Sequence, residues 1–127
     1  MNTKQQGDVG VAATVLHYTK LGYTVSQPLS DNSRYDLIVD KGNGQLQRVQ
    51  CKTSRYFRDA SRTFEVKLAT SGGNKSGNTK KPIDSTEIDI VMVYTWDGDL
   101  YEFPAEVLHG KDNVRLGKNK QVYRVKQ

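Results

Sequence analysis

The chain has 127 residues, 35% hydrophobic and 26% charged, which suits one domain over 1–127 with a modest core and leaves little for a second. No stretch approaches the roughly 18 apolar residues of a membrane span, and the N-terminus, MNTKQQGD, lacks the apolar run of a signal peptide. A single cysteine, Cys51, excludes an internal disulfide framework and a cysteine-cluster zinc site, so a reducing, cytoplasmic setting is expected for this chain of net charge +5.

Residues 8–21, DVGVAATVLHYTKL, place Val11, Ala12, Val15, Leu16 and Leu21 at helical spacing, and Gly22 stands where a helix ends in a left-handed residue. Asp8 has two readings. Three and four residues before Val11 and Ala12, it belongs to the buried face and reaches toward the sheet; equally, it is a helix N-cap. A short strand follows at 23–27, then a polar loop at 28–34. Residues 35–40 and 46–52 read as strands joined by the turn-forming KGNGQ.

Alternation along the second of these strands puts Leu46, Arg48, Gln50 and Lys52 on one face, with Val49 and Cys51 toward the core. Asp36 joins Gln50 and Lys52 only if opposed residues carry numbers of even sum. A two-residue turn at Asn43-Gly44 pairs Asp36 with Cys51 and splits the group, whereas the loop Gly42-Asn43-Gly44 pairs Asp36 with Gln50. A third strand is expected at 63–68, with a turn at 56–62. Residues 69–81, ATSGGNKSGNTKK, read as a mobile basic loop. Residues 88–95 form the most apolar strand, placed centrally, followed by a WDGD turn and further strand at 100–103. Pro104 opens a short helix that Gly110 closes, and edge strands are expected near 114–116 and 121–125.

Charge is segregated along the chain. Residues 52–81 hold eight Lys or Arg against Asp59 and Glu65; 82–106 hold seven acids and no Lys or Arg; 110–127 hold six bases against Asp112. Such blocks suit a face that binds a polyanion. Phosphodiester hydrolysis uses a hard cation to neutralise phosphate and activate water. It is served by a carboxylate ligand such as Asp36, an ammonium such as Lys52, and a weak oxygen donor such as Gln50.

Asp8, Asp36 and Gln50-Cys51-Lys52, within the phrases KQQGDVG, LGYTVSQP, RYDLIVD, VQCKTSR and EIDIVMVY, resemble the PD-(D/E)xK nuclease core, and in particular the small homing endonucleases of group I introns. The resemblance covers about residues 4–107. It implies an α/β fold with a restriction-endonuclease-like core, a mixed β-sheet flanked by helices. It also implies a metal-dependent endonuclease with Asp36 as main ligand, Lys52 as the base-like catalytic residue, and the Cys51 carbonyl as a further ligand. Magnesium is the expected metal, with manganese as a substitute. Tyr35 stands at the motif's proline, Asp8 where glutamate is usual, and Gln50 at the second acid.

Residues 53–81 would then supply a DNA-binding ribbon, bearing Arg55, Tyr56, Arg58, Arg62 and Lys67, and the basic loop with Lys75, Lys80 and Lys81. Arg48 is added to this set. The expected partner is double-stranded DNA, met by a homodimer or homotetramer. A Holliday-junction resolvase, a restriction-type enzyme, and a non-catalytic DNA-binding module on the same fold are the alternatives. His17 and His109 are read as structural or exposed, and Asp89 as a lesser candidate facing the site.

Overall fold

A computed structural model describes residues 1–71 and 80–127. The N-terminal helix, α1 (Thr3–Lys20), begins earlier than its apolar pattern suggests because Asn2 and Gln5 form a reciprocal cap. The Gln5 amide donates to Asn2 Oδ1 at 2.8 Å, and the Asn2 amide to Gln5 Oε1 at 3.0 Å. Asp8 therefore lies inside the helix, and its N-cap reading is overturned. Gly22, at φ +82°, ends the helix as expected.

Of the expected stripe on α1, Val11 and Val15 pack partly buried against the sheet, but the fully buried positions lie elsewhere. Gly10, Thr14 and Tyr18 are buried, whereas Leu16 and Leu21 are 61% and 53% exposed. At Gly10 a small residue wins because the helix rests directly on the sheet: a Cβ there would stand 2.2 Å from Thr53 Oγ1 and 3.2 Å from the Lys52 carbonyl oxygen. Thr14 is tolerated in this apolar contact because its hydroxyl donates back to the Gly10 carbonyl at 2.9 Å.

Five strands form the main sheet: β1 (Thr24–Ser26), β2 (Leu37–Asp40), β3 (Leu46–Ser54) and, further along the chain, the pair Ile90–Thr95 and Leu100–Pro104. Between them lie β4 (Phe57–Arg58), β5 (Thr63–Lys67), β6 (Thr70–Ser71) and β7 (Lys80–Lys81), so the later pair are β8 and β9, and β10 is Asn113–Arg115. The sheet order is β1-β2-β3-β8-β9, mixed through the parallel β3–β8 pair. Strand β8 is interior, as its apolar run requires.

One face of this sheet packs on α1 through Leu37, Val39, Val49, Ile90, Met92 and Tyr18. The other carries Val91, Val93 and Phe103 against Val66 and Val114 of a small antiparallel sheet, ordered β10-β5-β4, and against Leu68 just beyond it. A 3₁₀ turn at Ala105–Leu108 follows Pro104, and Gly110 (φ +77°) closes it.

Two expectations change. The ends of the 69–81 segment pair as β6 and β7, Thr70 opposite Lys81 and Ser71 opposite Lys80; its interior, with Lys75, lies outside the described residues. In the tail, Lys118–Tyr123 is a 3₁₀ helix rather than a strand, and only Arg124 bridges to Tyr101. Its turn is held by Gln121, whose amide donates to the Gly117 carbonyl and the Tyr101 hydroxyl, and by Tyr123 packed 4.6 Å from Phe103.

A bidentate pair locks β3 to β8. Arg48 Nε and Nη2 donate to Asp89 at 2.9 and 3.1 Å, Nη1 reaches the Thr86 carbonyl, and the Arg48 backbone amide also bonds Asp89. These bonds hold the Asp89 carboxyl below its ordinary value. A depressed carboxyl stabilises the fold above its unfolded value and loses that contribution as pH falls through the folded one. The stability gap between wild type and Asp89→Asn is expected to be present at neutral pH and to close in acid below about pH 4, read by thermal melts across pH; a constant gap would contradict this.

Candidate active site

The β2–β3 register decides whether the three polar residues meet. Asp40 opposes Leu46 and Leu37 opposes Val49, so one step further Asp36 stands opposite Gln50. The connection, 41–45, is odd in length. Gly42 and Gly44 take φ of +87° and +80°, and Asp40 and Asn43 side chains accept from the Gly42 and Gln45 amides. This is the alternative that unites the group.

At the end of β2 the Asp36 side chain takes over from the backbone ladder. Its amide donates to the Val49 carbonyl at 2.9 Å, while its Oδ2 accepts the Cys51 amide at 2.8 Å. That bond orients the carboxylate, which is itself exposed. Gln50 is 7% exposed, and its Oε1 has no hydrogen-bond partner among the described residues. Lys52, on the same face two residues on, has its ammonium pulled below the ordinary lysine value, chiefly by burial and further by the nearby Arg34 charge, with Asp36 opposing. The Cys51 thiol points the other way, against Thr14 of α1, and burial pushes it up to about 12; it is a packing group, as expected.

Asp8 and Asp36 line one cleft of about 540 Å³, with Val11, Tyr35 and the 27–33 loop. Asp8 is exposed there: the helix delivers it to the cleft rather than to the buried interface. No group of three or more His, Cys, Asp or Glu converges among the described residues. Three carboxylates, Asp8, Asp31 and Asp36, line the cleft, and the orphaned Gln50 carbonyl oxygen stands on the strand position opposite Asp36. Hard oxygen donors with few carboxylates suit a magnesium-type ion, which keeps much of its water.

The sequence profile of a family described as PD-(D/E)XK endonuclease matches residues 1–126. The chain belongs to the PD-(D/E)XK endonuclease family. Among relatives of this PD-(D/E)XK chain, Protein 5.3 of Escherichia phage T7 is 32% identical over 101 residues, covering 80% of this chain and 79% of that protein. Among solved structures, the bacterial homing endonuclease I-Ssp6803I superposes with a TM-score of 0.83 at 25% identity, covering 98% of this chain and 89% of that one. No helix among the described residues is long and apolar enough to cross a membrane.

The basic residues of this family member separate into three groups. Arg48 is committed to Asp89 and is withdrawn from the DNA-contact set; Asp89 in turn faces Arg48, not the cleft. Arg58 pairs with Glu65 at 2.9 Å. Arg55, Arg62, Lys67 and Lys81 are exposed, as is Tyr56. Arg62 occupies the β4–β5 turn at φ +55°, a left-handed position unusual for a side chain of its kind. Lys75 lies outside the described residues.

Arg34 was not singled out by sequence. It sits in the polar loop two residues before Asp36, its Nε 3.1 Å from Glu87 and its Nη2 donating to the Pro82 carbonyl at 3.1 Å. The spacing to Asp36 was its one legible signal. His109 is structural, its Nδ1 meeting the Ser85 amide at 3.0 Å.

Proposed function

We propose that this chain is a divalent-metal-dependent endodeoxyribonuclease hydrolysing phosphodiester bonds in double-stranded DNA, site-specific in the manner of a homing enzyme and working as a homodimer or homotetramer. The observation that carries the reading is the even-sum register, which sets Asp36 opposite Gln50 with Lys52 next on that face.

Asp36, Asp8, Gln50 Oε1 and the Cys51 carbonyl are the groups that would hold magnesium, with manganese as its substitute. When bound, such an ion neutralises phosphate charge and acidifies water. The chain's own residues do the rest. The Cys51 amide keeps Asp36 turned to the cleft. Lys52, half-buried beside it, orients the attacking water or meets the charge that develops on the phosphate. Exposed Arg55, Arg62 and Lys67 hold the DNA backbone.

A non-catalytic DNA-binding module is the second reading, favoured by the lack of a three-acid cluster among the described residues. Cleavage of plasmid and of a random-sequence DNA library separates the two. Wild type is expected to cut with magnesium and not with EDTA. Asp36→Asn is expected to fall by about 100-fold or more in rate while retaining DNA binding. Metal-independent cutting, or cutting undiminished in Asp36→Asn, would overturn the assignment.

A further inference from the structure

Strand β3 carries Lys52 and ends at Ser54; Arg55 follows at once. Trp96 opens the β8–β9 turn, and its amide donates to the Ser54 carbonyl at 2.9 Å. The parallel register, Lys52 opposite Val93 and Ser54 opposite Thr95, holds that turn beside the end of β3. The Arg55 guanidinium lies over the Trp96 ring, 4.8 Å from its centroid. Tyr94 props the indole edge-on at 6.4 Å. Trp96 is 37% exposed and the adjacent Tyr56 62%.

The contrast with the other arginines is informative. Arg34, Arg48, Arg58 and Arg124 each meet a carboxylate, which positions the guanidinium but cancels its charge, while among the described residues Arg62 and Arg115 meet neither a carboxylate nor an aromatic ring. Arg55 has no carboxylate partner among the described residues. The acids of the neighbouring turn are occupied elsewhere: Asp97 accepts from Thr95, and Asp99 faces Arg124. An indole face restrains a cation without neutralising it. A guanidinium so held keeps both its charge and its forked donors for an outside anion. Arg55 lies three residues, about 10 Å, beyond Lys52 along the chain and in the opposite side-chain phase, on the side of the sheet where Tyr94 packs.

We propose that Trp96 is a positioning residue that holds Arg55 as a preset clamp for a DNA backbone phosphate at the end of β3. This rests on the DNA reading of the site but not on cleavage. Trp96 is the chain's one tryptophan, so its emission, excited apart from the tyrosines, reports on this position.

The experiment is a titration of the full chain with duplex DNA in EDTA, at several salt concentrations, followed by anisotropy of labelled DNA and by tryptophan emission. Fold is checked by circular dichroism. Wild-type emission is expected to change on binding. Arg55→Met is expected to weaken binding by about 10-fold and to flatten the log–log salt slope by about 0.9, one phosphate contact. Trp96→Ala is expected to weaken binding several-fold and Trp96→Phe less. The double variant Arg55→Met/Trp96→Ala is expected to bind no worse than Arg55→Met, because Trp96 acts only through Arg55. Additive losses, or an Arg55→Met variant with wild-type affinity and slope, would overturn the clamp while leaving the nuclease reading intact. A wild type that binds no duplex even at low salt would overturn both.

Discussion

Lys52→Met is expected to slow cleavage by orders of magnitude while leaving the protein at least as stable as wild type. The two halves of this result have one cause. Lys52 is partly buried on the sheet face, and desolvation is the largest influence on its ammonium, outweighing the favourable charge of Asp36. Its folded-state value therefore lies below its unfolded one. A lysine shifted in this direction opposes folding at every pH below the folded value, and that penalty disappears as pH rises from the folded toward the unfolded value near 10.5. Methionine fills similar space without the charge. The melting temperature of Lys52→Met should thus be no lower than that of wild type at pH 7, and any advantage should shrink as pH approaches 10. Cleavage should fall by about 100- to 10,000-fold, the range for a positioned proton-handling or charge-stabilising group. A residue kept at a cost in stability is expected where function requires it. If Lys52→Met melted well below wild type, the ammonium would be a structural group and the site reading would lose its main support.

The second large effect is placed at Gly10. An alanine in a helix interior normally gains up to about 1 kcal/mol over glycine. Here the added Cβ meets Thr53 Oγ1 at 2.2 Å. Thr53 is β-branched and stiff about χ1, and the Lys52 carbonyl stands close behind it, so the helix must lift. Overpacking of this kind costs about 1–3 kcal/mol and outweighs the propensity gain. Gly10→Ala should therefore melt several degrees lower than wild type. Thr53→Ala should restore much of that loss, because Thr53 Oγ1 is buried without a hydrogen-bond partner and its removal sacrifices no bond. Activity should fall along with stability, since α1 brings Asp8 to the cleft and the strand it presses on carries Lys52. Gly10→Ala equal to wild type in stability would show that the helix does not seat on β3 as described.

What could be read from sequence was mostly local. The arithmetic of the hairpin isolated a single condition, an even sum, and the five-residue connection meets it through two left-handed glycines, Gly42 and Gly44. The interior strand at 90–95 and the turn chemistry at Gly22, Gly98 and Gly110 were legible for the same reason. Where the reading failed, a contact between distant segments decided the outcome. The apolar stripe on α1 pointed to Leu16 and Leu21, but the close approach to Thr53 selects Gly10, a residue type that hydropathy undervalues. Arg48 looked like a free cation because Asp89, its partner, lies across a parallel strand pair that no short-range pattern reveals. An edge strand was expected near 121–125, yet Tyr123 packing on Phe103 and the Gln121 bonds favour a 3₁₀ turn. Trp96 carried no signal until the β3–β8 register brought its ring beneath Arg55.

The central claim is that the Asp36–Gln50–Lys52 hairpin is a working active site. Its most direct test is single-turnover cleavage with protein in excess over a DNA library, run side by side for wild type and Lys52→Met, with binding to the same DNA measured in parallel. The expected result is product from wild type only, only with magnesium or manganese, and comparable binding by both proteins. Equal cleavage by the two proteins, or none by either while both bind, would contradict it.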